Sequence, residues 1–132
     1  MWPEKEECFM SPLEDALLLF AIVRRHLQVL RLGLDEAYPA EDWGFTSQQA
    51  VEKLLKAWIV LRNGQPPRVH DLTTLAELSG LECNPLLLEL QVYAVEARYE
   101  EGPFPLPAER NEILEAIEQL LAQCEKRARA ES

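Results

Sequence analysis

A chain of 132 residues with 48% hydrophobic side chains has enough apolar material for one core and too little length for two, so a single domain over residues 1–132 is expected. Its 13 Lys and Arg stand against 23 Asp and Glu, a formal net charge of -10, which excludes coating nucleic acid by overall attraction and confines any phosphate contact to a local patch. The longest apolar run, Ala16 to Val23, falls short of the roughly 20 residues of a membrane helix and follows acidic residues, so neither a span nor a signal peptide is expected.

Ser11-Pro12-Leu13-Glu14 joins a capping box to a proline at the first helical position, predicting a first helix from there to Gly33. Its core set is Leu13, Leu17, Phe20, Leu27 and Leu30, spaced for one face of a helix. After the stretch from Gly33 to Trp43, the residues Val51, Leu54, Leu55, Trp58 and Leu61 repeat at helical spacing until Asn63-Gly64 closes a second helix. Its start has two candidates: a second capping-box pattern at Thr46 with Gln49, or Pro39 a turn or two earlier.

Pro66-Pro67 then forces an extended loop. Asp71 should cap a short third helix in which Leu72, Leu75 and Leu78 face inward and which Gly80 ends. Asn84-Pro85 launches a fourth helix through Leu86, Leu90, Tyr93 and Ala97, stopping before Gly102-Pro103. Ile113, Ile117, Leu120, Leu121 and Cys124 mark a fifth. No useful stretch alternates with period two, so the expected class is all-α, an antiparallel up-and-down bundle of about five helices, with residues 1–10 and 128–132 as flexible ends. The unbroken apolar runs from Leu17 to Val23 and from Leu86 to Leu88 predict a surface between subunits and hence a symmetric homodimer.

Cys8, Cys83 and Cys124 are odd in number and unpaired in spacing, which suits a reducing, cytoplasmic setting, and with His26 and His70 beside them no metal site or cofactor is expected. No glycine-rich phosphate loop, GxSxG elbow or HExxH pair is present.

Three motifs follow one another: Gln48-Gln49-Ala50-Val51-Glu52-Lys53-Leu54-Leu55-Lys56-Ala57, then Pro66-Pro67-Arg68-Val69-His70-Asp71-Leu72, then Arg98-Tyr99. Together they resemble a HEPN domain over residues 40–125. The resemblance implies an antiparallel helical bundle that dimerises and associates with a small nucleotidyltransferase in a two-component, toxin-antitoxin-like system, or else a metal-independent ribonuclease. The leading expectation is a binding or regulatory subunit with a nucleotide or an RNA phosphate as ligand and no catalytic role; a ligand-free structural adaptor is a third reading.

The residues themselves give these roles a physical form. Lys53 and Lys56, three apart on one helix, offer two cations to a phosphate, although Glu52 with Lys56 also makes an ordinary i,i+4 pair on a solvated face. His70 can exchange a proton or donate to phosphate, whereas Asp71 is explained by its capping position and Arg98 and Tyr99 can equally fill the end of the bundle. The ligand set is therefore Lys53, Lys56, Arg68, His70, Asp71, Arg98 and Tyr99. The ribonuclease members carry an arginine and a histidine with four to six residues between them. Here seven residues lie between Arg62 and His70 and one between Arg68 and His70, with Asn63, Gly64 and Gln65 at the matching positions. A catalytic set of His70 with Arg62 or Arg68 would thus be irregular, and RNA cleavage is not expected. The tyrosine that toxin members carry two residues after the histidine is Leu72 in this chain.

Overall fold

The computed structural model describes residues 11–131; the flexible end expected over residues 1–10, Cys8 included, lies outside the described residues. Six helical segments appear in order: α1 (Pro12–Leu32), α2 (Ala40–Asn63), α3 (Leu72–Ser79), α4 (Pro85–Leu88), which runs on as a 3-10 turn (Glu89–Tyr93), α5 (Glu96–Tyr99) and α6 (Arg110–Ala130). Among the described residues there is no strand, and no helix is long and apolar enough to cross a membrane.

The direction of each long helix follows from which ends meet. The Trp43 indole N–H donates to the Leu30 carbonyl at 3.0 Å, while a Cβ built on Gly64 would lie 3.6 Å from Pro12 Cγ, so α1 and α2 are antiparallel. Arg24 pairs with Glu125 and Arg31 with Glu118, which sets α6 antiparallel to α1. The Cys124 thiol reaches the Leu54 carbonyl at 3.6 Å and Arg127 lies 5.7 Å over the Trp58 ring, which makes α6 parallel to α2. Central to the bundle, α2 packs against α1, α3, α6 and the 3-10 turn, and a single apolar cluster runs through all of them.

Local chemistry explains the boundaries. Ser11 and Glu14 exchange both bonds of a capping box. Of the two candidate starts for α2, Pro39 is the one used, directly before Ala40; Thr46 is mid-helix, its hydroxyl donating to the Asp42 carbonyl at 3.2 Å instead of capping. Asp71 caps α3, its carboxylate accepting from the Thr74 N–H at 2.9 Å and the Thr74 hydroxyl at 3.0 Å. Gly80 ends that helix with φ +73°, a left-handed conformation that glycine adopts without strain.

Four expectations fail for identifiable reasons. Leu17 and Leu78 were assigned to the core, yet they are 48% and 49% exposed; the inward positions are taken by Ala16, Leu19 and Phe20 on α1 and by Leu75, Ala76 and Ser79 on α3. Trp43, which a helix start at Thr46 would have left outside α2, lies within it and is fully buried. Residues 128–130, expected as a loose tail, are the last turn of α6 with Ala128 buried. The fourth helix does not run straight to Ala97 but breaks at Ala94-Val95. Tyr93 accounts for that break: its ring lies under Gly44, where a Cβ would come within 2.6 Å, and its hydroxyl donates to the Phe104 carbonyl at 2.9 Å. Seating a large ring on both partners fixes the 3-10 turn at the expense of regular α-helix.

Candidate functional site

A cleft of about 320 Å³ opens over one face of α2, lined by Phe45, Gln49, Glu52, Lys53 and Lys56 of that helix. Leu19 and Ile22 of α1 form one wall; His70 of the loop before α3, with Gln91, Ala94 and Val95 of the broken fourth helix, forms the other. The break at Ala94-Val95 is what turns these last residues toward α2.

On the cleft floor three ionisable groups meet. Lys56 Nζ lies 3.1 Å from Glu52 Oε2, and both side chains are buried, 6% and 9% exposed. His70 Nδ1 lies 2.8 Å from the same Oε2 and 3.1 Å from Lys56 Nζ. One imidazole nitrogen cannot accept from the ammonium and donate to the carboxylate at once, so its proton decides which contact is a hydrogen bond. His70 itself is 75% exposed. Burial pushes the Glu52 carboxyl up, but hydrogen bonds from His70 and Lys56 outweigh burial and hold it below the ordinary carboxylate range.

Amides extend the network. Gln48 donates to Glu52 Oε1 at 3.3 Å and Gln49 to the Gln48 oxygen at 2.8 Å, while Lys53 donates to Gln49 Oε1 at 3.0 Å. Gln91 accepts the Leu72 N–H at 3.0 Å, tying the broken helix to the start of α3. Burial lowers the Lys53 ammonium, Lys56 adds to that, and Glu52 counters it. His26 of α1 is also lowered, by burial first and then by Lys53 and Arg25, and its Nε2 is buried without a hydrogen-bond partner.

The predicted ligand residues divide sharply. Lys53, Lys56 and His70 converge on the cleft. Arg62 does not: its guanidinium donates to the Ser79 carbonyl at the end of α3, in space that exists because residue 80 is glycine. Arg68 is exposed and Tyr99 is 79% exposed, and neither lines the cleft. Asp71 is engaged as the cap of α3. The Arg98 side chain lies outside the described residues. The Glu52–Lys56 pair exists as the spacing anticipates, but it is buried, not on a solvated face.

Gln91, Phe45 and the Ala94-Val95 corner were missed. No local signal marks Gln91, whose relevance comes from the tertiary fold. For Glu52 the i,i+4 spacing to Lys56 was the available signal, and it announced the pair but not its burial.

The HEPN domain profile matches residues 24–127. The chain belongs to the HEPN domain family. The matched span takes in the C-terminal part of α1, all of α2 to α5 and most of α6, so every residue lining the cleft except Leu19 and Ile22 falls within the HEPN domain. Neither a curated protein nor a solved structure matches the chain.

Proposed function

We propose that this HEPN domain is a binding module whose ligand is a nucleotide or an RNA phosphate held in the cleft over α2, and that it serves as a regulatory subunit, not an enzyme. The observation that carries this reading is the convergence of Lys53, Lys56 and His70 on one cleft that also has an apolar wall, since cationic heads for phosphate beside Phe45 and Val95 for a ring suit a nucleotide. Isothermal titration with nucleotides tests it: Lys53→Ala combined with His70→Ala should weaken binding without unfolding the protein. No binding by the wild type would end the proposal.

A ribonuclease is the second reading, favoured by one contact. Glu52 lies 2.8 Å from His70 Nδ1, and a carboxylate at that nitrogen would hold the tautomer that leaves Nε2 as a proton acceptor. Against it stands Arg62, bound to the Ser79 carbonyl. Purified protein is expected to leave RNA intact; metal-independent cleavage that His70→Ala abolishes would reverse the ranking.

The assembly belongs to the same proposal. Leu17, Leu18, Val29 and Leu32 of α1 are 48%, 45%, 37% and 84% exposed, an apolar surface that suits a homodimer. A small nucleotidyltransferase encoded beside the chain would support the two-component, toxin-antitoxin-like role in the cytoplasm. Sedimentation showing only monomer at tens of micromolar would remove the homodimer.

A further inference from the structure

Reading the cleft as a nucleotide site leaves the length of the phosphate chain open, and the charges around it decide that length. Among the described residues, four ionisable side chains line the cleft: Glu52, Lys53, Lys56 and His70. Lys56 is already committed, since its ammonium sits 3.1 Å from Glu52 Oε2 and both side chains are shielded from water. Within a buried pair of this kind the two charges cancel, and separating them would leave each unpaired in a poor dielectric. Lys53 differs, because its ammonium donates to a neutral amide oxygen of Gln49. His70 can add a second positive charge, with Nδ1–H donated to Glu52 and Nε2–H turned outward, and it is exposed enough to do so.

The floor can therefore meet about two negative charges, the amount that one phosphomonoester carries near neutral pH, roughly -1.5 to -2. Each added phosphate brings more negative charge toward the Glu52 carboxylate, with no further cleft cation among the described residues to receive it, and like charges brought together oppose binding. Size points the same way. A space of about 320 Å³ is near the lower end of small-molecule pockets, roughly 300 Å³, and the net charge of -10 disfavours a long polyanion.

We infer that the cleft selects a nucleoside monophosphate over the corresponding triphosphate and over an RNA chain, and that Glu52 is the specificity-determining residue that sets this limit. The inference rests on the nucleotide reading given above. In the bound state Lys53 and His70 hold the phosphate, the base lies along Phe45, Ile22 and Val95, and Glu52 keeps Lys56 neutralised beneath them.

The test is isothermal titration of the full chain, without divalent cation and at fixed ionic strength, with AMP, ATP, GMP, GTP, adenosine and a short RNA oligomer. At least one monophosphate should bind about tenfold or more tightly than its triphosphate, a difference well within what a titration resolves. Adenosine should bind more weakly than AMP. Glu52→Gln keeps an oxygen for Lys56 and His70 while removing the charge, and it should shrink the preference to within about threefold, chiefly by improving the triphosphate. Triphosphates or RNA binding as tightly as monophosphates to the wild type would overturn the inference while leaving the nucleotide reading in place. A preference unchanged in a folded Glu52→Gln protein would remove Glu52 from the role. Failure of every probe to bind would overturn both readings. Should the variant not fold, the wild-type ratio of monophosphate to triphosphate still decides the selectivity.

Discussion

Two regions of this HEPN domain gather positive charge, and they use it in opposite ways. At the α1–α2 connector, Arg110 from the start of α6 donates to the carbonyls of Gly33 at 2.6 Å, Asp35 at 3.0 Å and Tyr38 at 2.7 Å, while its guanidinium lies 5.7 Å over the Trp43 ring. In the cleft, Lys53 donates to one amide oxygen and His70 turns most of its ring to solvent. Three connector carbonyls take up the donors of the first cation; the second pair retains donors for something else. Counting cations does not identify a site. What matters is how many of their donors the fold has already consumed.

Breaking the saturated region should have the largest effect. Arg110→Ala removes the side-chain donor from the Gly33 and Tyr38 carbonyls, while the Asp35 carbonyl keeps the Tyr38 N–H, and it uncovers Trp43, so the protein should lose about 2 to 4 kcal/mol in chemical denaturation, with each bond to a charged group contributing roughly 1.5 to 3 kcal/mol less partial compensation by water. Nucleotide binding by the residual folded fraction should be unchanged. An equal stability loss from Lys53→Ala would erase the contrast between the regions.

Breaking the unsaturated region should show up in binding. Lys53→Ala with His70→Ala is expected to weaken nucleotide affinity by about ten- to a hundredfold, equivalent to roughly 1.4 to 2.8 kcal/mol, with a denaturation midpoint close to that of the wild type. Added salt should weaken wild-type binding as well. If the double variant unfolds first, His70 and Lys53 are supports of the fold and the contrast disappears.

A smaller effect is expected between the two regions. Asp71→Ala removes a cap without touching the cleft floor and should cost about 1 kcal/mol, read by thermal or chemical unfolding, while the monophosphate affinity holds. A large loss of affinity would mean that α3 positions His70 more tightly than its exposed ring suggests.

The smallest effect concerns acid. Because the folded Glu52 carboxyl is held below its ordinary value of 4.5, it contributes stability that is present above that value and lost as pH falls through the lower folded one. Glu52→Gln should therefore make stability less steep in pH between about 5 and 3. An unaltered acid profile would mean that the bonds from His70 and Lys56 give the carboxylate no preference for its charged form.

These contrasts also mark what the sequence made legible. Helix starts at Ser11 and Asp71 and ends at Gly33, Gly64 and Gly80 were readable because capping is local: a side chain within a few residues satisfies an orphan backbone group. The convergence of Lys53, Lys56 and His70 was partly legible, since helical spacing places the lysines; that the loop brings the histidine back to Glu52 and Lys56 in the middle of α2 is a tertiary fact. Arg62 and Arg68 could not be sorted from one another in the same way. Arg62 is diverted by a carbonyl 17 residues further along the chain, and nothing near it in sequence announces that partner. The broken fourth helix was illegible for the same reason, because the cause lies in α2, at Gly44.

That contact between Gly44 and Tyr93 has a consequence for how the sequence can change over time. With a Cβ at position 44 forced to within 2.6 to 2.8 Å of three ring atoms, the two positions are not free to drift separately. A lineage that gains a side chain at 44 must first, or simultaneously, shed the ring at 93, and in doing so releases the Phe104 carbonyl and the constraint that bends the fourth helix. The wall carrying Gln91, Ala94 and Val95 would then be at liberty to straighten. The glycine thus acts as an evolutionary latch: the pair can be exchanged only as a unit, and the shape of the cleft is inherited with it.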